Sequence, residues 1–344
     1  MQEMKREDAL REFLAAGKEK LDNRRAQFAK RMFDRKQELA ERLRAAFGRL
    51  ARKLQEEGKD CRCLYCSLLR VDMLQGRYVV LVQTVGEDGA PDPDPLEDEI
   101  ILDDFFECLK EEQAALMREL PRFQGRIGFW DVQNLIASRA VEWFHLMAFL
   151  LRFLLQKEEN RKELMQLLSG DRPRLILWGE YGGRGEPIFC YDEAPDRDGK
   201  LQLLLKQSYS YPCLMQDQFL RSGSYQRLEL TERRMEFITF LDCSFQAVSF
   251  AGSSLWGARF LNCRFESCSF READLTMARF ENCLFMETDW GQTRFCHTLC
   301  RPVFAVEGGR RPDGILEGEE QYDAAIFLYG TGSECEGYHT AGGL

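Results

Sequence analysis

The chain has 344 residues, of which 44% are hydrophobic and 12% aromatic, and it carries a net charge of −10. That length accommodates two or three domains with folded cores, and the acidic balance counts against a general nucleic-acid binder. The most apolar stretch, Trp143 to Leu151, is nine residues long, against the roughly 20 that a bilayer-spanning helix needs, so no membrane span is predicted.

In chain order, residues 1–58 contain no proline and read as one long charged helix, with Gly17 and Gly48 as weak points. Its opening, Met1-Gln2-Glu3-Met4-Lys5-Arg6-Glu7-Asp8, is charged throughout, unlike a secretory signal, which predicts a cytoplasmic protein with reduced thiols. Leu10, Leu21, Met32, Leu43 and Leu54 stand 11 apart, with Phe28, Leu39 and Leu50 as a second row. That period gives nearly straight or slightly right-handed coiled-coil packing rather than a leucine zipper. The stripe requires cover from a second copy, another protein or the rest of the chain. Arg24, Arg31, Arg35, Arg42 and Lys53 flank it, and from Arg24 to Lys53 eleven basic residues face only three acids. Two readings follow. The arginines shield the stripe and pair with acids of a neighbouring element, or they form an interaction surface for a protein partner or another copy, for which the candidates are Arg24, Arg31, Arg35 and Arg42. The chain's net charge of −10 counts against a nucleic-acid surface here.

Residues 59–206 read as a mixed α/β domain, a sheet with helices on one face. Strands are expected at Leu64 to Met73 and Arg77 to Val85, joined by Leu74-Gln75-Gly76, then near 173–180, 187–192 and Leu201 to Leu205. Helices are expected near 103–119, 130–156 and 159–168. Between Glu87 and Glu107 lie ten acids and no basic residue. Asp88, Asp92 and Asp94 there could ligate calcium, but their spacing matches no EF-hand and Pro91, Pro93 and Pro95 favour a solvated extended segment. Cys61, Cys63 and Cys66 include a single CxxC, with Cys108 as the candidate fourth ligand, where structural zinc usually takes two close pairs; thiols at the start of a half-buried strand are the plainer reading. Gly182-Gly183-Arg184-Gly185 lacks the Lys and Ser or Thr of a phosphate-binding loop and reads as a hairpin turn.

Residues 207–235 read as a connector, followed by the strongest pattern in the sequence. Phe240, Phe245, Phe250, Leu255, Phe260, Phe265, Phe270, Leu275, Phe280, Phe285, Trp290 and Phe295 recur at every fifth position, and a small residue such as Cys243, Ala258, Cys263, Cys268, Ala273, Ala278 or Cys283 stands two before most of them. A period of five fits neither helix nor flat strand, so the chain must wind. Phe240-Leu241-Asp242-Cys243, Phe260-Leu261-Asn262-Cys263 and Phe280-Glu281-Asn282-Cys283 repeat at 20 residues, the interval at which coils about 4.8 Å apart would stack. The segment 236–300 resembles the pentapeptide-repeat family. The resemblance implies a right-handed, four-sided β-helix with the large and small residues inside and four repeats per coil, hence about three coils here. The whole chain then reads as a multidomain α+β protein: helix, α/β domain, connector, solenoid, and a cap and tail over 301–344. The five-residue phase is expected to fail after Phe295, where Leu299 is out of register and Pro302 removes a donor.

Catalytic signatures are sparse. His145 lies in an apolar helix and reads as a core residue, His339 is in the glycine-rich tail, and Cys296-His297-Thr298-Leu299-Cys300 falls where the solenoid is being capped. No cofactor is expected, and the chain reads as a non-enzymatic interaction or scaffold protein. The family resemblance implies an alternative, imitation of duplex DNA to inhibit or protect a type II topoisomerase. Against it, residues 236–295 carry eight acids and five arginines, whereas a DNA mimic needs rows of negative charge. Arg259 and Arg279 stand one coil apart, and holding two like charges that close is costly unless acids or a partner offset them, which makes them the solenoid's candidate contact surface.

Overall fold

The computed structural model describes residues 5–86, 92–168, 174–183, 185–196, 199–301, 314–316 and 318–331, with the backbone alone at 158, 159, 163 and 327–331. These residues form two compact units that divide between Phe189 and Cys190, the end of the last helix from Phe327 counting with the first.

In the first unit the charged N-terminal segment is two helices, α1 (Arg6–Asp34) and α2 (Lys36–Glu57). The expected weak points are both helical, and the kink falls instead at Arg35 (φ −108°, ψ 22°). There the Arg35 guanidinium sits 4.5 Å from the Phe105 ring centroid and pairs with Asp104. The kink changes what the stripe covers: α1 packs on the helices Glu107–Glu119 and Phe129–Leu155, and α2 on the strand Glu97–Ile101, the helix Glu158–Leu167 and again on Phe129–Leu155. Leu21, Met32, Leu43, Leu54, Phe28, Leu39 and Leu50 are all buried, so the rest of the chain is what covers the stripe. Gly17 is needed for this packing: a Cβ there would lie 2.5 Å from Leu135 Cδ2.

Then follow β1 (Cys63–Leu68), α3 (Arg70–Leu74), β2 (Val79–Val85), β3 (Glu97–Ile101), α4 (Glu107–Glu119), α5 (Phe129–Leu155), α6 (Glu158–Leu167), β4 (Arg174–Glu180) and β5 (Glu186–Tyr191). The sheet order is β3-β2-β1-β4-β5, antiparallel from β3 to β1, with β1 and β4 parallel. The first expected strand is shorter than read, because Arg70–Leu74 turns into a helix. β3 was hidden in the acidic run by its charge, and Ile100 is its buried residue. Phe28 lies between Trp143 (4.8 Å, stacked) and Phe106 (5.0 Å), Tyr78 stacks on Phe106 at 4.4 Å, and Phe144 stacks on Trp178 at 4.2 Å, so one aromatic core joins helices and sheet.

The second unit opens with α7 (Lys200–Ser208), where a strand over 201–205 was expected. Periodicity does not decide so short an apolar run. Asp196 does, by accepting the free N–H groups of Lys200 (2.7 Å) and Leu201 (3.2 Å). Winding begins well before the expected Phe240. Strands β6 (Phe219–Arg221) and β7 (Ser224–Gln226) make a further coil out of the connector, with Leu220, Tyr225, Leu230 and Met235 buried inside. Leu228 and Arg233 at the small positions disguised it, while Gly223 is forced because a Cβ would meet the Tyr225 hydroxyl at 2.2 Å.

β8 (Thr239–Leu241), β9 (Ser244–Gln246), β10 (Arg259–Leu261), β11 (Arg264–Glu266), β12 (Arg279–Glu281), β13 (Leu284–Met286), β14 (Thr298–Arg301) and β15 (Ile315–Leu316) continue the winding, and α8 (Glu319–Thr331) ends the described chain. The register also outlasts Phe295. Cys300 is buried opposite Phe280, with Leu299 beside it pairing with Arg279. Pro302 and residues 302–313 and 332–344, including His339, lie outside the described residues, as do Asp88 and Pro91.

Candidate functional site

Four parallel walls enclose the solenoid. β6, β8, β10, β12 and β14 form the first wall and β7, β9, β11 and β13 the second, while single parallel bridges such as Ser249 to Ser269 and Ser254 to Asp274 form the third and fourth. Residues 20 apart face each other in every wall, as in Phe240↔Phe260↔Phe280 and Phe245↔Phe265↔Phe285. The interior rings stack accordingly: Phe245–Phe265 and Phe265–Phe285 at 4.9 Å, Phe250–Phe270 and Phe270–Trp290 at 4.7 Å. A large inward residue every fifth position with a 20-residue coil is the defining geometry of one repeat type. Residues 219–301 are a pentapeptide-repeat solenoid.

Its small interior residues do more than save space. Cys263 Sγ lies 3.4 Å from the Phe240 carbonyl, Cys283 Sγ 3.2 Å from that of Phe260, Thr293 Oγ1 2.7 Å from that of Phe270 and Thr298 Oγ1 2.8 Å from that of Leu275. Each donor satisfies a carbonyl 23 residues back, which explains Cys, Ser and Thr where volume alone would accept Ala. Corners are turned by residues with positive φ, among them Asp242 (56°), Asn262 (54°) and Asn282 (51°). Asn and Asp tolerate that conformation, and here they also form a ladder, Asn262 Nδ2 to Asp242 Oδ1 at 2.9 Å and Asn282 Nδ2 to Asn262 Oδ1 at 3.2 Å.

The outer residues differ from wall to wall. On the second wall Gln246 and Arg264 are exposed, and Leu284 is 51% exposed. On the first wall Thr239 is 3% exposed, Leu261 7% and Leu299 0%, although all three alternate with inward residues and so point out of the coil. Arg259 and Arg279 are Cα partners on this wall. α8 lies on it. Glu319 pairs with Arg279 and with Arg301 (3.4 Å), the Tyr322 hydroxyl donates to the Met277 carbonyl at 2.7 Å, and the Arg279 guanidinium stands 5.8 Å from the Tyr322 ring centroid. Burial disfavours the charge on Arg279, but Glu281 and Glu319 outweigh that and hold its pKa above the ordinary value. The repeat pattern revealed the two arginines, but not the helix from the end of the chain that meets one of them.

The other candidate arginines are engaged within the first unit. Arg24 meets Glu112 (3.3 Å), Arg31 meets Glu107 (3.0 Å), and Arg35 and Arg42 converge on Asp104 and Glu38. Burial works against the charge on Asp104, yet hydrogen bonds from Arg42 and Arg35 hold its carboxyl well below the usual range. The acidic run is engaged in the same way, with Asp98 on Arg49 of α2 (2.9 Å) and Asp94 on Lys59 just beyond its end (2.9 Å).

Cys63 and Cys66 are an odd number of residues apart on β1 and so point to opposite faces of the strand, which no single metal ion can bridge. Burial pushes Cys61 up to about 12 and Cys63 up to about 11, and raises Cys66 and Cys108 as well. Among the described residues no group of three or more His, Cys, Asp or Glu could hold a metal ion, and no helix is long and apolar enough to cross a membrane. His145 is half-buried rather than a core residue: its Nδ1 lies 2.7 Å from Glu186 Oε1, and Arg152 braces the same carboxylate at 3.1 Å. The Glu186 hydrogen bond raises the His145 pKa. The glycine run is the turn between β4 and β5, where a Cβ on Gly185 would lie 2.7 Å from the Tyr65 ring; Arg184 is outside the described residues.

The SV2A/B/C luminal domain is the family whose model matches, over residues 206–290. No curated protein matches the chain. Among solved structures, a pentapeptide repeat protein from the Arabidopsis thaliana thylakoid lumen is 14% identical over 25% of this chain and 66% of its own, with a TM-score of 0.15. HetL, a pentapeptide repeat protein involved in heterocyst differentiation regulation in the cyanobacterium Nostoc, is 13% identical over 28% of this chain and 57% of its own, with a TM-score of 0.14. QnrB1, a plasmid-mediated fluoroquinolone resistance protein, is 12% identical over 34% of this chain and 90% of its own, with a TM-score of 0.15. The chain thus spans just under two thirds of the first of these relatives and less of the second.

Proposed function

We propose that this protein is a non-enzymatic scaffold that works by presenting the outer walls of its solenoid to a protein partner in the bacterial cytoplasm. The observation that carries the reading is that the first wall already seats a helix, through Glu319 on Arg279 and Arg301 and Tyr322 on the Met277 carbonyl. Interior stacking makes the walls rigid, so side chains 20 residues apart are held in fixed columns on which a partner can dock without an ordering cost. With the α1 and α2 stripe covered by the first unit, the solenoid rather than the N-terminal helices is the binding element. Eight of the twelve cysteines among the described residues are buried and pack as small apolar side chains, which suits a reducing compartment. Within the solenoid no outward column carries two acids in succession: Asp242, Asn262 and Asn282 line one corner, and Glu232, Gly252, Glu272 and Gln292 another. Duplex imitation gains nothing from such columns.

The test is capture with the intact chain and with a triple variant of the second wall, Gln246→Lys, Arg264→Glu and Glu266→Lys. Retention of the same proteins by both, with the variant folded, would remove the second wall from the reading. Turnover of a small molecule by the purified chain would remove the reading itself.

A further inference from the structure

We propose that the first wall of the solenoid is a receptor for an acidic amphipathic helix of a partner protein, and that α8 is the occupant the chain itself supplies. The proposal rests on the scaffold reading and names the chemistry of what docks. Glu319, Tyr322, Ala325 and Ile326 recur at intervals of three, three and one, one face of a helix. Tyr322, Ala325 and Ile326 are buried, whereas Glu320, Gln321 and Ala324 between them are exposed.

The wall offers the complement in matching order. Arg259, Arg279 and Arg301 lie on it with Glu281 among them. Arg259 and Arg279 are held one coil apart by the backbone and Glu281 pairs with Arg279 on the same wall, so the three arginines outnumber that acid and favour another. Glu319 is such an acid, since it meets both Arg279 and Arg301. The second determinant is geometric. Met277 occupies a left-handed corner (φ 59°), its N–H is used by Cys296 O at 2.8 Å in the ladder between coils, and its carbonyl is the group that Tyr322 reaches. A hydroxyl placed one helical turn after the acid is therefore selected along with the charge. The apolar floor comes third: Leu261 and Met277 are buried although they lie outside the coil, and Tyr322 stands at the Met277 carbonyl. An acid, then a tyrosine three residues later, then a small and a branched apolar residue is the sequence such a partner helix would carry.

The test uses a fluorescein-labelled peptide of residues 314–331, titrated by fluorescence anisotropy against the full-length protein and against a full-length Glu319→Ala, Tyr322→Ala variant whose own helix is weakened. The variant should bind the peptide, and the unaltered protein, whose wall is occupied, should bind it roughly tenfold or more weakly. Adding Arg279→Glu to the variant should abolish binding, and so should Glu319→Lys in the peptide. Should the double variant not fold, Tyr322→Phe replaces it, which keeps the ring and removes only the hydroxyl. Absence of binding to a variant with unaltered circular dichroism, or binding indifferent to Arg279→Glu, would overturn the proposal. The scaffold reading would survive that result, because contact with a protein through another wall is enough for it.

Discussion

Phe265→Ala is the sharpest test of how the solenoid is held. Phe265 is fully buried in the third coil, stacked on Phe245 and Phe285 at 4.9 Å each, with Phe260 and Phe270 edge-on at 5.5 and 5.4 Å. Truncating a buried Phe costs about 3–5 kcal/mol, and each lost ring pair adds about 0.5–1.5 kcal/mol beyond area, so the upper end of that range applies. Phe285 is half-buried where Phe265 is fully buried, so Phe285→Ala should cost about half as much. Leu284→Ala, on an exposed side chain in the same strand, should stay within about 0.5 kcal/mol. Differential scanning calorimetry would read the series as a fall in Tm of roughly 10–20 °C for Phe265→Ala in the transition that Leu284→Ala leaves alone. Equal losses for Phe265→Ala and Phe285→Ala would refute the reasoning, because the cost would then not follow burial.

Other expectations concern the first unit. Gly48 has nothing within 4 Å of a new Cβ, so Gly48→Ala should stabilise by about 1 kcal/mol through helix propensity. Gly17→Ala should destabilise by about 1 kcal/mol, since its Cβ would press on Leu135; urea midpoints that move in the same direction for both would contradict the packing. Asp104 has a depressed pKa when folded, so its contribution is present above about pH 4 and is lost as pH falls through the folded value. The stability gap between the unaltered chain and Asp104→Asn should therefore close below pH 4, and a gap constant down to pH 2 would count against it. His145 has a raised pKa when folded, so its pairing with Glu186 contributes fully below about pH 6.5 and fades as pH rises through the folded value. His145→Gln should remove that dependence, and a variant that keeps the same pH profile would show that another group carries it.

What could be read in the sequence follows the physics of each element. Phe240 to Phe295 were legible because every wall repeats one requirement, a large residue inside at fixed spacing. The first coil was not, because Leu228 and Arg233 replace the small residues and Tyr225 uses Gly223 for its ring. The 11-residue stripe marked a buried helical face, but its cover came from α4, α5, α6 and β3, contacts that span long stretches of chain and leave no local signal. Arg259 and Arg279 were placed in register by counting 20 residues, yet Glu319 meets Arg279 from 40 residues away. Charge alone concealed β3, and the short leucine run of α7 could not declare its period without the Asp196 cap.

The central claim, that the solenoid walls are where this protein meets its partner, is tested most directly by placing a photo-reactive phenylalanine analogue, one position at a time, at Gln246, Arg264, Ser269 and Arg294 on the solenoid and at Arg25 and Arg52 on the N-terminal helices. Irradiation in cells of the source organism followed by mass spectrometry should give a discrete protein adduct from one or more solenoid positions and none from the helices. Adducts confined to Arg25 or Arg52 would contradict the account.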